Sequence, residues 1–454
     1  MEKTEQFDLI VIGTGAAGSS VADRCRKAGW SVAVIDELPF GGTCALRGCD
    51  PKKVLVGAAD LIDWHRRMQK LGVVTGNTAI NWEALMHFKR TFTDPIPMDR
   101  EESYKKADIA VFHGTARFID KTTVQVGNTV LRGRFIHVAV GAKPMRLGIS
   151  GEEHLITSTQ FLELASLPKR ILFVGGGYIS FEFAHVAARA GAKVTILHRG
   201  ARPLEGFDSD LVANLMEATK SAGIAIELDT AVEAIEKLEN GFAVRGITKK
   251  SPKIFEGDLV VHGAGRLPAV DGLDLEKADV AYTRKGITVN KYFQSVSNPA
   301  VYAAGDAKTL PGSLPLTPVA GYEGSIVATN LLEGNRLTPD YTGVPSVVFT
   351  IPPLATVGLS ENGARSQGFE FSVNTGDMSD WYSSRRINAK HARYKVLLEN
   401  KSRKIIGAHL LGPHAEEVIN LFALAIRKGL VASDIEEMLW AYPTHASDTN
   451  YMVE

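Results

Sequence analysis

The 454-residue sequence has only three cysteines, Cys25, Cys44 and Cys49, too few for the disulfide framework of a small secreted scaffold. It has no excess charge of either sign, with Lys+Arg 51 against Asp+Glu 51. That balance excludes the electrostatic footprint of a nucleic-acid binder, and no basic block argues for an anionic membrane surface. No apolar run approaches the roughly 18 residues of a membrane span. The stretch from Met1 to Asp8 is polar, and the apolar run behind it stops at Gly13, which argues against a secretory signal. These absences lead to the expectation of a cytoplasmic globular protein with no nucleic-acid and no membrane partner.

What the chain does have is glycine, 43 residues, gathered at the ends of strand-like runs. The run Phe7 to Ile12 meets Gly13, Gly15 and Gly18, a helix-period pattern follows through Val21 and Cys25, and a second strand runs from Ser31 to Ile35. The same order recurs downstream. Ile171 to Val174 meets Gly175, Gly176 and Gly177, a helix pattern runs through Phe183 and Ala187, and Lys193 to Leu197 is again strand-like. A lone glycine motif is weak, but here each copy follows a strand and opens a helix. Two such units imply two dinucleotide-binding domains in one chain. In the first, Asp36 ends the second strand, where a carboxylate accepts a ribose diol. In the second, that place falls to His198, with Arg199 and Arg202 behind it. Cationic groups there suit a 2′-phosphate, so this copy points to NADPH.

The stretch Gly41 to Lys53 places Cys44 and Cys49 in a C-x4-C after the first unit. Asp50 and Pro51 read as an N-cap and first helical residue, which puts Cys49 at a helix start, where a thiolate is stabilised. Metal ligation competes with this reading, but two cysteines without a second pair make a poor zinc site. Cys25, on the apolar face of the first helix, reads as inert core. The last hundred residues change character, with strands near Val347, Tyr394 and Ile405 and an apolar helical stripe from Val418 to Ile426. Ser433 and Glu436 read as a capping box for a short final helix ending near Trp440.

With these residues assembled, the sequence resembles the FAD-dependent pyridine nucleotide–disulfide oxidoreductases, of the glutathione reductase, dihydrolipoamide dehydrogenase and mercuric reductase type. The resemblance implies an α/β fold with two Rossmann-like domains and a C-terminal α+β dimerisation domain. It sets the FAD-binding domain at 1–150 and 269–340, the NAD(P)H-binding domain at 151–268 and the interface domain at 341–454. It implies a homodimer that passes electrons from NADPH through FAD and a Cys44–Cys49 disulfide to a small-molecule acceptor. Gly13, Gly15, Gly18, Asp36, Gly42, Thr43, Gly141, Gly305 and Asp306 would hold FAD, and Arg266 would lie near the flavin. Gly175, Gly177, His198, Arg199 and Arg202 would hold NADPH, with Tyr178 as an aromatic gate. Lys53 and Glu182 resemble the ion pair beside the flavin.

The likeness breaks near the end. The disulfide-reducing relatives have His-Pro-Thr-x-x-Glu, whereas this chain reads Tyr442-Pro443-Thr444-His445-Ala446-Ser447-Asp448. A phenol ordinarily titrates near 10 and is a weak base at neutral pH, which leaves His445 as the nearest imidazole. Mercuric reductases carry Tyr-Pro-Thr but continue to a C-terminal cysteine pair, and no cysteine follows Cys49 here. The acceptor is thus expected to be a small disulfide or another thiol-reactive species. The alternatives are a metal-ion or quinone reductase and a redox-sensing flavoprotein.

Overall fold

A computed structural model describes residues 4–454. The described chain gathers into two compact units. One holds the chain up to Pro51 with Phe88–Met145 and Arg266–Tyr341; the other holds Lys52–His87, Arg146–Gly265 and the chain from Thr342 onward. Residues 52–87, expected with the first domain, group with the second unit. The stretches expected as nicotinamide and interface domains share that second unit.

In the first unit, strand Thr4–Ile12 lies between Val32–Asp36 and Thr129–Val138, parallel to both, with Leu9 opposite Val32 and Phe135. Ala110–His113 extends the sheet beyond Val32–Asp36, and Val301–Ala303 pairs in parallel with Thr129–Val138. The continuous apolar runs follow from this placement, because parallel strands covered on both faces leave no side for polar residues. Leu9, Ile10, Val11, Val34 and Ile35 are fully buried, each contributing roughly 1.5–3 kcal/mol. Helix Ala16–Lys27 buries Ala17, Val21, Ala22 and Cys25, the face its periodicity indicated. Helix Thr317–Glu333 crosses it closely: a Cβ on Gly324 would lie 2.6 Å from the Ala17 carbonyl oxygen.

In the second unit, Arg170–Val174 pairs in parallel with Lys193–Leu197 and Leu259–His262, with helix Tyr178–Arg189 between the first two. A five-stranded antiparallel sheet follows, built from Ser346–Val348, Leu354–Gly358, Ile405–Leu411, Arg393–Glu399 and Phe371–Asp377 in that spatial order. Helix Ala415–Lys428 buries Val418, Ile419, Phe422 and Ala425. The buried Lys395 binds Asp208 at 2.9 Å, Asp210 at 2.6 Å and Glu361 at 2.8 Å, so a lysine inside a strand is fully paired.

Local expectations near the end are corrected. The short helix is Ala432–Glu436, stopping before Trp440, and its start is closed by Asp434 accepting the Val431 N–H at 2.8 Å. Ser433 already lies inside the helix and has no capping role. A further helix, Thr449–Val453, follows.

Candidate active site

The first glycine motif is a tight backbone junction. Gly13 has φ +104°, and a Cβ there would lie 2.3 Å from the Ala139 carbonyl oxygen; one on Gly18 would lie 1.9 Å from the Gly13 carbonyl oxygen. Strand, helix and crossover strand therefore meet without side chains between them. Gly42, at φ +74°, brings the cysteine-bearing segment against this loop, since its Cβ would fall 2.5 Å from Gly15 Cα. Asp36 folds the loop: Oδ2 accepts the Thr14 N–H at 2.9 Å and hydroxyl at 2.7 Å, and Oδ1 accepts the Leu38 N–H at 3.0 Å. A carboxylate has about four acceptor sites, so about one remains for a ribose hydroxyl. Beside Gly141, at φ +67°, a Cβ would meet nothing within 4 Å.

The Gly305–Asp306 turn is held from below. The Gly305 N–H donates to Glu323 at 2.8 Å, and Glu323 also accepts the Ser313 hydroxyl at 2.7 Å, the Tyr341 hydroxyl at 2.6 Å and Lys308 Nζ at 2.9 Å. Lys308 and Glu323 are both buried. Asp306 has no hydrogen-bond partner among the described residues, and burial raises its carboxyl above the ordinary range against the pull of Arg266 and Lys308. Arg266 donates to the Ala142 carbonyl. Arg47, its charged form disfavoured by burial, feels Asp36 as an attraction and Arg266 as a repulsion. Open space at Gly141, the packed glycine cradle and the unpartnered Asp306 together fit a dinucleotide with a polyhydroxyl chain.

The two thiols belong to the same unit. Cys44 sits in helix Gly42–Arg47. Cys49 is itself the first residue of helix Cys49–Gln69, so that helix starts one residue before the expected Asp50 cap. Neither is in a disulfide; Cys49 is exposed and Cys44 half-buried. A hydrogen bond with Cys49, followed by burial, holds the Cys44 thiol well above its ordinary range. Cys25 is inert as expected, since burial pushes its thiol up to about 12.

In the second unit the glycine motif repeats the first. Gly175 has φ +113°, and its Cβ would lie 2.3 Å from the Gly263 carbonyl oxygen; Gly177 approaches the same oxygen at 3.4 Å. Of the three cationic candidates, His198 turns inward, Nε2 lying 3.0 Å from the Arg202 carbonyl oxygen. Arg202 braces its own loop through the carbonyls of Phe207 and Glu205. Arg199 is the exposed one.

The ion pair expected of Lys53 and Glu182 is formed by Lys52, whose Nζ lies 2.5 Å from Glu182 Oε2. Glu182 Oε1 accepts the Phe349 N–H at 2.9 Å, and the carboxylate is buried. Adjacent helical residues point about 100° apart, so one of the two lysines faces inward. Lys53 rotates away to Glu416 at 3.7 Å and over the Phe349 ring at 4.0 Å. Sequence reading missed Lys52, Glu323 and Thr317. A charge in the middle of helix Thr317–Glu333, whose other acid is its last residue, was the available signal for Glu323. Nothing local distinguishes Lys52 from its neighbour. Tyr178 is half-exposed at the start of its helix, with Lys52 Nζ 6.0 Å from its ring centre.

The C-terminal stretch holds no dyad of the histidine–glutamate kind. Tyr442 is 75 % exposed, and the Ser447 hydroxyl donates to the Thr444 carbonyl oxygen at 2.6 Å. His445 is turned inward. Its Nδ1 lies 3.9 Å from Asp448, its Nε2 is buried without a partner, and its ring lies 4.9 Å from that of His414. Burial, then the charges of His414 and Arg386, push its imidazole down to about 4, so it is neutral at pH 7. Among the described residues there is no cluster of three or more His, Cys, Asp or Glu able to hold a metal, and no helix long and apolar enough to cross a membrane.

Comparison with known proteins agrees with this geometry. Residues 7–324 match the family model "Pyridine nucleotide-disulphide oxidoreductase", and residues 344–453 match that family's dimerisation domain. A glutathione reductase of Burkholderia cepacia is 32% identical over 443 residues, covering 97% of each chain. A mercuric reductase of Lysinibacillus sphaericus is 30% identical over 97% of this chain and 81% of its own. The solved Cu(II) complex of the HOCl-induced flavoprotein disulfide reductase RclA from Escherichia coli superposes with a TM-score of 0.88 at 29% identity, covering 99% of both chains.

Proposed function

We propose, for a chain that belongs to the pyridine nucleotide–disulphide oxidoreductases, a homodimeric NADPH-dependent flavoprotein of the disulfide-reductase type whose electrons leave through Cys49 and Cys44 to a small disulfide or another thiol-reactive acceptor. The family is one of flavin-dependent disulfide reductases that use FAD and a pyridine nucleotide. When bound, FAD relays a hydride's two electrons from nicotinamide to the cysteine pair. Gly13, Gly15, Gly18, Asp36, Gly42, Thr43, Gly141, Gly305 and Asp306 would hold it, Asp306 by accepting a hydroxyl. The Glu323 network keeps the Gly305 turn in place beforehand, so little ordering is left for binding. Lys52 keeps a positive charge buried on Glu182, and Tyr178 covers the nicotinamide entrance. Arg199, at the end of the second βαβ unit, is the residue best placed for a 2′-phosphate.

The single observation that carries the reading is the pair of hydrogen-bonded thiols, one exposed at a helix start, in a segment packed by Gly42 onto the first glycine loop. The acceptor is narrowed by what surrounds the C-terminal stretch. A disulfide leaves as a thiolate that must be protonated, and the stretch has no histidine–glutamate dyad to do it: Ser447 is engaged with the Thr444 carbonyl, and His445 is inward and neutral at pH 7. A metal-ion acceptor is the second reading, favoured by that lack and by the Cu(II) bound to the related reductase. The test is a steady-state screen of NADPH oxidation against oxidised glutathione, lipoamide, quinones and metal ions, with Cys44→Ser and Cys49→Ser run beside the unmodified enzyme. Turnover that survives both substitutions with every acceptor would remove the dithiol from the pathway.

A further inference from the structure

The least expected group at the thiol pair is a carboxylate. Asp50 lies in the first turn of helix Cys49–Gln69, with Oδ1 3.8 Å from Cys44 Sγ, and the thiol donates to it. Asp50 and Cys49 are both exposed. On the other sulfur, Thr317 Oγ1 lies 3.5 Å from Cys49 Sγ. Cys49 first, and Asp50 after it, raise the Cys44 thiol, while the Thr317 hydroxyl, which touches both sulfurs, lowers it. The two sulfurs therefore have unlike surroundings. What sets them apart is the carboxylate and the helix: Cys44 faces an acceptor that favours the thiol, whereas Cys49 opens a helix, a position that stabilises a thiolate.

We propose that Asp50 determines acceptor specificity: by accepting the Cys44 thiol and making the mouth of the pair negative, it directs electrons to a cationic, thiol-binding acceptor and away from anionic disulfides. This deepens the dithiol reading above and rests on it. The chemistry balances without an added acid. When the Cys44 thiol and the Cys49 thiolate close to a disulfide, one S–S bond forms, one S–H bond breaks, and one proton leaves past Asp50. Two electrons pass out, and two Cu(II) ions take them as two Cu(I) with no proton uptake. A disulfide taking the same two electrons departs as two thiols and needs two protons, one more than the pair releases. Its exchange must also begin from the Cys44 thiolate, the form that the neighbouring carboxylate disfavours.

The test uses the NADPH-reduced holoenzyme, with Cu(II) and oxidised glutathione as the two acceptors. In Asp50→Asn the pH midpoint for iodoacetamide alkylation of Cys44, read by mass spectrometry, should fall by about one unit. The ratio of kcat/KM for Cu(II) to that for glutathione disulfide should fall about tenfold. Asp50→Glu should retain both properties, which separates charge from packing, and flavin absorbance checks that each variant is folded. An unmoved alkylation midpoint in Asp50→Asn overturns the proposal while leaving the dithiol reading standing, and so does a moved midpoint with an unchanged ratio. Reduction of both acceptors by Cys44→Ser at the unmodified rate overturns the dithiol reading and this proposal with it.

Discussion

Lys52 and Lys53 are neighbours with the same side chain and opposite surroundings. Lys52 is paired with a buried carboxylate at 2.5 Å, whereas the exposed Lys53 holds its Nζ 3.7 Å from Glu416. Removing one member of a buried pair leaves the other uncompensated, a loss of about 3–5 kcal/mol. An exposed pair contributes about 0–1 kcal/mol. Lys52→Met should therefore lower the urea midpoint clearly and Lys53→Met hardly at all, and equal losses would contradict the assignment. A charge-reversing Arg199→Glu should narrow or invert the preference for NADPH over NADH in stopped-flow reduction, because Arg199 is the candidate not engaged in its own loop. His445 carries a pH prediction. Its imidazole is depressed from 6.5 to about 4 in the fold, so the unfolded chain binds the extra proton. Stability from this group is whole above about pH 6.5 and is lost as pH falls toward 4, on the order of 3 kcal/mol. His445→Gln should flatten that part of the stability–pH curve.

At the scale of elements, both glycine junctions were legible in the sequence, because a strand, three glycines and a helix leave few alternatives. The structure adds the reason. Gly13 and Gly175 each press on a carbonyl of a crossing strand, at Ala139 and Gly263. Gly13→Ala combines that overlap with a positive φ and should lose both stability, by about 1–3 kcal/mol, and flavin content. Glu323 was legible only as a charge in a helix, not as a hub, since its partners come from Gly305, Lys308, Ser313 and Tyr341, and no periodicity announces that convergence. Glu323→Ala should leave Lys308 buried without a counter-charge, held only by the Ser313 hydroxyl, and release the Gly305 N–H. Flavin should then dissociate faster on dilution than from the unmodified protein. The helix ends were also misread. Cys49 opens its helix without waiting for Asp50, and Asp434 closes the late helix in place of Ser433, because a side-chain carboxylate three residues on reaches back to the Val431 N–H.

For the whole molecule, the family was legible from Gly41 to Lys53 and from the two βαβ units, and the departure from the histidine motif was equally plain. What the sequence could not show was the fate of His445, which depends on burial against His414 and the helix it caps. Restoring the dyad with Tyr442→His and Ser447→Glu together should raise turnover of oxidised glutathione, toward the roughly 10²–10⁴-fold that acid–base catalysis supplies. His445→Ala should leave reduction of the native acceptor nearly unchanged. Efficient glutathione reduction by the unmodified enzyme would contradict the argument from the missing imidazole.

The first unit is assembled from three separated stretches, the last of them Arg266–Tyr341. Its central sheet needs Val301–Ala303 beside Thr129–Val138, and its Gly305 turn needs Glu323. During synthesis, a chain that has emerged only as far as residue 265 therefore lacks one strand of the sheet and the helix that closes over it. Its strand edge and the apolar face of Ala16–Lys27 stay uncovered while the intervening residues are made. Long-range closure of this kind is slow and exposes nascent chains to aggregation. The yield of folded enzyme should accordingly depend on translation speed and chaperone supply through the stretch that precedes residue 341, and much less once that stretch has cleared the ribosome.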